Sequence, residues 1–261
     1  PGVYTLEGNQ LMKAAISEAG NKLSEDDWVM GEVGRADISQ TSDTATLETR
    51  YYRDYSDQWR AFVKGLRVKE YDRETANDAL LAFSSANSPL EILLKEVARQ
   101  TNLSAKPKNQ GWWDWLVSRF RSAQRTEQGG NTQVEKEFRP LFDFVGEEGK
   151  DKAPIETYRS HISEVEKKYS QFSSSQLETV SQELVKGEVK SFPQLPKAEG
   201  NIRSMLGGFN QTSTGQDVAG FLQEPIGNLK ILLGADAKGL LAKTWTEKLL
   251  PMARNLEKGY P

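Results

Sequence analysis

No cysteine occurs anywhere in this 261-residue sequence. That absence excludes a thiol nucleophile, a disulfide framework and every zinc site that needs sulfur. It fits an oxidising compartment without specifying one. Histidine is nearly as scarce: His161 stands alone, which excludes any triad or metal cluster that requires two imidazoles. No apolar run approaches the ~20 residues needed to cross a bilayer, so no transmembrane span is expected. A dominant sign of charge is missing too. Thirty-four basic and 37 acidic side chains leave a net charge of -3, so the whole chain has no polyelectrolyte drive towards nucleic acid or anionic membrane. Start Met and secretory signal are both absent, and the chain runs from Pro1-Gly2-Val3-Tyr4 to Gly259-Tyr260-Pro261. It reads as a piece of a longer protein.

Alternating strand patterns are also lacking; what is present is helical spacing. Met12, Ile16, Ala19 and Leu23 form one stripe, and Leu47, Tyr51, Tyr55, Trp59, Phe62 and Leu66 another. The polar stretch Glu32 to Asp43 separates them as a loop. Ser88-Pro89-Leu90-Glu91 carries a helix start, with Ser88 as cap, Pro89 in the first turn and Glu91 completing a capping box. Leu90, Leu93, Leu94 and Val97 then supply its buried face, and Leu103 to Gly111 ends it. A further helix is expected from Trp112 to about Gln124.

Gln128-Gly129-Gly130-Asn131 is the most plausible hinge. Beyond it, Val134, Phe138, Leu141, Phe142 and Val145 are helically spaced around Pro140. Ile155, Tyr158, Ile162, Val165, Tyr169 and Phe172 alternate steps of three and four, as in a heptad seam. Ser175 and Glu178 suggest a second capping box, Lys186 to Pro196 a loop, and the Gly-, Asn- and Thr-rich stretch Met205 to Gly215 a mobile one. Val218, Phe221, Leu222, Leu229 and Leu232 follow. A last helix sets Leu241, Trp245, Leu249, Met252 and Leu256 on one side. Pro225 and Pro251 fall inside these patterns and predict kinks. The expected architecture is all-α: two packed helical bundles, residues 1–128 and 129–261, kinked at interior prolines.

Candidate chemistry is thin. Gly146-Glu147-Glu148-Gly149-Lys150-Asp151 has two residues between its glycines where a nucleotide loop needs four, and Asp follows the Lys. A solvated loop is the simpler account. His161 lies beside the Tyr158–Ile162 seam as a helix-flank imidazole. Asp26-Asp27 and Glu147-Glu148 are adjacent pairs whose side chains diverge, which suits solubility better than acid–base work. No cofactor or metal site is expected, and no catalytic residue.

Trp112-Trp113-Asp114-Trp115 is the exception to this plainness. From Arg99 to Arg125 six basic residues face one acid, Asp114. Aromatic rings beside basic charge suit an interfacial helix, a single-stranded nucleic-acid platform or a sugar-binding surface. However, Trp112, Trp115 and Leu116 share a helical face with Phe120, so packing against a core or partner explains the pattern without a ligand. Trp113, Arg121 and Arg119 are the candidate protein-contact residues, since Trp and Arg are enriched in interface hot spots.

Several segments, in order along the chain, resemble the IcmF/TssM family, the large inner-membrane subunit of the type VI secretion system. Pro1-Gly2-Val3-Tyr4-Thr5 is similar to its P-G-[VLF]-[FY]-T opening. Asp26-Asp27-Trp28-Val29-Met30-Gly31 matches D-x-W-V-x-G. Tyr51, Tyr55 and Trp59 resemble its Y-x-x-x-Y-x-x-x-W helix. Ser88-Pro89-Leu90 leading to Val97-Ala98-Arg99-Gln100-Thr101 resembles S-P-L…V-A-x-x-T, and Val134 to Leu141 resembles V-x-x-x-F-x-P-L. Trp245, Leu250-Pro251 and Gly259-Tyr260-Pro261 resemble W-x-x-x-[VL]-x-P…x-Y-P-F.

The resemblance implies the periplasmic part of an inner-membrane protein, a helical region that precedes a small β-domain lying beyond residue 261. It implies a structural, non-enzymatic role: a spacer linking the inner-membrane anchor to the outer-membrane lipoprotein TssJ, with the inner-membrane protein TssL and further copies of the chain as partners. Nucleic acid and small-molecule substrates are not expected. Two other classes stay open, a helical peptide-binding module and a cell-wall-cleaving hydrolase. The hydrolase would need a cleft Glu of raised pKa, whereas Glu91 and Glu178 have a structural reason to be where they are.

Overall fold

A computed structural model describes residues 2–30, 40–104, 132–146 and 153–257. The described residues form helices and no strand: α1 Leu6–Met30, α2 Gln40–Gly65, α3 Ala76–Ser84, α4 Pro89–Thr101, α5 Gln133–Val145, α6 Pro154–Tyr169, α7 Ser174–Val185, α8 Gln194–Met205, a 3-10 turn Leu206–Gln211, α9 Ser213–Thr244, a π turn Trp245–Leu249 and α10 Leu250–Glu257. The expected helix at 112–124, the hinge at 128–131, the division between residues 128 and 129, and positions 147–151 of the glycine loop all lie outside the described residues.

The 32-residue α9 is about 48 Å long at 1.5 Å per residue, and the rest of the fold is organised around it. It packs on α2, α3, α5, α7 and α8. A second set of contacts joins α1 to α2, α4 to α5, and α6 to both α3 and α8. Apolar spacing explains the pairing. Ile155, Tyr158, Ile162, Val165 and Tyr169 of the heptad-like seam are all buried, so α6 is covered along its length. Tyr55, Leu94, Phe138 and Leu229 belong to one hydrophobic cluster that runs from Leu6 to Leu233.

Local signals held unevenly. Pro89 occupies the first turn of α4 behind Ser88, but the Ser88 side chain makes no capping bond. Glu91 is drawn instead into ion pairs with Lys95 at 2.6 Å and Arg159 of α6 at 3.0 Å. The capping box expected at Ser175 and Glu178 forms two residues earlier, between Ser173 and Gln176. Another, between Thr132 and Glu135, opens α5. The loop expected through Pro196 ends earlier: α8 starts at Gln194, and Pro196 sits in its first turn, where no intrahelical N–H is needed.

The Met205–Gly215 stretch is not the loose loop its composition suggests. Leu206 and Phe209 are buried, and the Phe209 ring meets Phe144 edge-on at 5.4 Å. Thr212 then caps α9 by accepting the Gly215 amide at 2.9 Å. Gly146, at φ 70°, ends α5 where a Cβ would lie 2.6 Å from that of Ala153. Both the backbone conformation and the close approach require glycine there.

Pro140 and Pro225 lie inside α5 and α9, and Pro251 inside α10. Pro225 cannot donate to the Phe221 carbonyl. Near this interruption two phenols, Tyr158 buried and Tyr71 half-buried, reach into the helix: Tyr158 Oη donates to the Leu222 carbonyl at 2.9 Å, and Tyr71 Oη to the Pro225 carbonyl at 3.1 Å.

Candidate functional site

The motif residues of the first hundred positions converge on one junction. Thr5 starts α1: its hydroxyl donates to the Gly2 carbonyl at 2.8 Å and accepts the Gly8 amide at 3.0 Å. Gly8 is required by space, since a Cβ there would lie 2.1 Å from the Gly2 carbonyl oxygen. The turn is then gripped from α2. Tyr51 Oη donates to the Val3 carbonyl and Trp59 Nε1 to the Tyr4 carbonyl, both at 2.9 Å. The i, i+4, i+8 spacing places Tyr51, Tyr55 and Trp59 on one helical face. Tyr4 stacks on Tyr51 and meets Tyr55 edge-on.

Gln100 closes the junction from α4. Its side-chain oxygen accepts the Leu6 amide at 2.8 Å, its backbone carbonyl accepts Tyr55 Oη at 2.6 Å, and its amide nitrogen donates to Glu96 at 2.8 Å. Arg99 joins Glu96 at 2.7 Å and Glu7 of α1 at 3.3 Å. The Arg99 hydrogen bond holds the Glu96 carboxyl below its usual range despite partial burial. Burial pushes the Tyr51 and Tyr55 phenols well above theirs, so both stay neutral donors. Chain start, α1, α2 and α4 are thereby locked together.

A second joint binds this region to the long helix. After Gly65 the chain runs extended along α9. The Val68 amide donates to Glu224, and Asn228 Nδ2 donates to the Val68 and Lys69 carbonyls at 3.1 and 3.2 Å. Arg73 pairs with Asp236 at 2.9 Å. Side chains of α9 thus satisfy a backbone that has no strand partner, which an extended segment needs once it is partly buried.

A third joint is a single carboxylate. Glu135 Oε1 accepts the Ser104 amide at 2.7 Å and the Ser104 hydroxyl, while Oε2 accepts the Thr132 amide at 3.0 Å and its hydroxyl at 3.1 Å. Burial alone would raise this carboxyl; the bonds from Ser104 and Thr132 outweigh it and hold it low.

Trp113, Arg119 and Arg121 lie outside the described residues. His161 is half-buried on the flank of α6. A cleft of about 430 Å³ between α5 and the 3-10 turn is lined by Pro140, Phe144, Pro154, Met205 and Phe209. Among the described residues no three metal-binding side chains cluster, and no helix is long and apolar enough to cross a membrane. The C-terminal stripe, expected on one side of a last helix, is exposed. Leu241, Trp245, Leu249 and Met252 are 57, 60, 47 and 64% exposed, because the contacts of α9 with the core end near Ala237. Motif spacing signalled the tyrosine face of α2. The roles of Gln100 and Asn228 had no such signal, as each is defined by a partner distant in sequence; for Glu135 the T-x-x-E spacing of a capping box signalled the bonds to Thr132 but not those to Ser104.

Residues 1–102 match the family described as IcmF-related: Intracellular multiplication and human macrophage-killing. The whole junction around Gln100 falls inside that match. The type VI secretion system component TssM1 of Pseudomonas aeruginosa is 30% identical over 183 residues, covering 60% of this chain and 16% of that protein. A solved chain of a type VI secretion system membrane core complex superposes over 100% of this chain and 47% of its own length, with a TM-score of 0.62 at 16% identity. That last likeness is one of fold. The family expected from the motifs, IcmF/TssM, is the one that residues 1–102 match. The chain spans about a sixth of the length of the curated relative.

Proposed function

We propose that this chain is a structural segment of a type VI secretion membrane complex, a periplasmic helical spacer between an inner-membrane anchor and an outer-membrane lipoprotein. The observation that carries it is the junction at Gln100: residues of the family-matched region spend their polar groups on fastening the chain to itself. The extended segment then ties this region to α9 through Asn228. Force applied near Val3 would pass through hydrogen bonds and packed rings into a helix about 48 Å long, as a spacer requires. A scaffold needs such joints and no reactive group, which is why the reading is non-enzymatic.

The proposed partners are the lipoprotein TssJ, the inner-membrane protein TssL and other copies of the chain. Calorimetry tests the first, with TssJ titrated into this chain and into a version extended by the β-domain that the resemblance places after it. Binding by the longer chain alone leaves the helices as spacer, and binding by this chain puts the lipoprotein surface on the helices. Failure of both sinks the reading. Trp113, Arg121 and Arg119 are proposed as contacts between subunits. Trp113→Ala combined with Arg121→Glu should reduce assembly of the complex in cells, and unchanged assembly would remove these residues from that role.

A further inference from the structure

One side of α9 is left uncovered by the described fold. Gly220, Gly227 and Gly234 follow one another at seven-residue spacing. Outside the local helix backbone, no described group comes within 4 Å of where their Cβ atoms would lie. Glycine inside a helix is destabilising relative to alanine, and no contact within the described fold calls for it at these positions. Ile231, Leu241 and Trp245 share this side and are 59, 57 and 60% exposed. Glu224 and Lys238 complete it. From Gly220 to Trp245 the members alternate steps of four and three, over about 38 Å of helix. That alternation is the seam by which one helix packs on another, and here none of its residues is buried.

We infer, on the reading above that other copies of the chain are partners, that this seam pairs antiparallel with the same seam of a second copy. Side-chain size sets the direction. With the twofold axis midway between Leu232 and Leu233, Trp245 of one copy meets Gly220 of the other, and Ile231 meets Gly234. Large apolar side chains thus enter glycine recesses, and each contact occurs twice, as a twofold interface requires. Leu241 lies against the stem of Glu224, and Lys238 lies over Gly227. Charge points the same way. The two charges of the seam are opposite in sign, and Lys238 of one copy comes to rest one turn from Glu224 of the other. Glu224 Oε1 has only a long contact to Arg67, at 3.9 Å, so it is free to take this ammonium. A parallel pair in register would set glycine against glycine, Glu224 against Glu224 and Lys238 against Lys238. Voids and opposed like charges both disfavour that arrangement.

Sedimentation equilibrium of this chain, from about 1 to 100 μM, should show monomer and dimer in exchange. Gly220→Leu combined with Gly227→Leu fills two recesses where the single chain has room. Helix signal and thermal midpoint should therefore hold or rise, while dimerisation weakens by about tenfold or more. Trp245→Ala should weaken it to a similar degree. Direction is read by disulfide trapping, since the chain has no cysteine of its own. An Ile231→Cys chain mixed with a Gly234→Cys chain should form the mixed disulfide in preference to either like pair. A parent that stays monomeric overturns the pairing, and leaves the lipoprotein titration of the spacer reading untouched. A monomer whose Ile231→Cys thiol is shielded from reagents would show that the chain covers its own seam, which overturns the pairing too. So does a dimer that the two leucines leave intact. Preference for like disulfides overturns the antiparallel direction.

Discussion

The amide of Leu6 donates to the side-chain oxygen of Gln100 at 2.8 Å, across 94 positions of sequence. Leu6 is 1% exposed, so water cannot replace this acceptor. Gln100→Ala should cost about 1–3 kcal/mol through the orphaned amide. Gln100→Glu keeps an acceptor but sets a second carboxylate against Glu96, and should be at least as harmful. Urea denaturation of both variants checks this; full stability of the Ala variant would show that the bond is incidental.

The tyrosines of the junction make stability sensitive to alkali. Burial raises the Tyr51 and Tyr55 phenols above their ordinary range, so in the folded chain they ionise later than in the unfolded one. The stabilisation is complete below the unfolded value of about 10 and is lost as pH rises above it towards the folded values. Tyrosinate absorbance and unfolding should therefore rise together above about pH 10. Two phenols titrating at ordinary pH in a still-folded chain would contradict the burial.

On the acid side the sign is reversed. Glu135 is held below its ordinary range, so its contribution is complete above the unfolded value of about 4.3 and fades as pH falls through the folded one. Glu135→Gln should flatten that part of the acid-stability curve. Parallel curves for the two chains would count against it.

Asn228 tests the second joint. Asn228→Asp replaces the nitrogen that donates to the Val68 and Lys69 carbonyls with an oxygen that repels them. It should lower stability by about 1–3 kcal/mol and speed amide exchange across residues 66–75. An exchange pattern identical to the parent's would mean that the segment is held by packing alone.

Adjacent leucines on α3 separate core from surface. Leu80 is 0% exposed and Leu81 52%. Leu80→Ala should cost about 2–5 kcal/mol, and Leu81→Ala less than about 0.5. Equal losses would mean that α3 is covered on both faces.

Helical spacing read from residues alone located α6 and the tyrosine face of α2, because periodicity is a property of a single helix. It erred by one residue at the end of α2. Phe62 was expected inward, but Val63 is buried and Phe62 is 45% exposed. Caps were less legible. Ser88 and Glu91 have the residue types of a capping box, but Arg159 on α6 offered Glu91 a stronger partner. Among Ser173, Ser174 and Ser175 composition could not select the cap. The Leu241–Met252 stripe was legible as a pattern, yet no pattern states whether a neighbour covers it.

What the sequence by itself determined is the class of fold, most of the helices and the family that residues 1–102 match. The missing chemistries follow from counts of Cys and His, helices from apolar spacing, and kinship from short motifs in order. The tertiary structure decided which motif residues meet. Gln100 beside Leu6, Asn228 beneath the extended segment and Glu135 under Ser104 and Thr132 are all side-chain bonds to backbone. Such bonds depend on where a distant carbonyl or amide comes to rest, and they leave no periodic trace in the residues that make them.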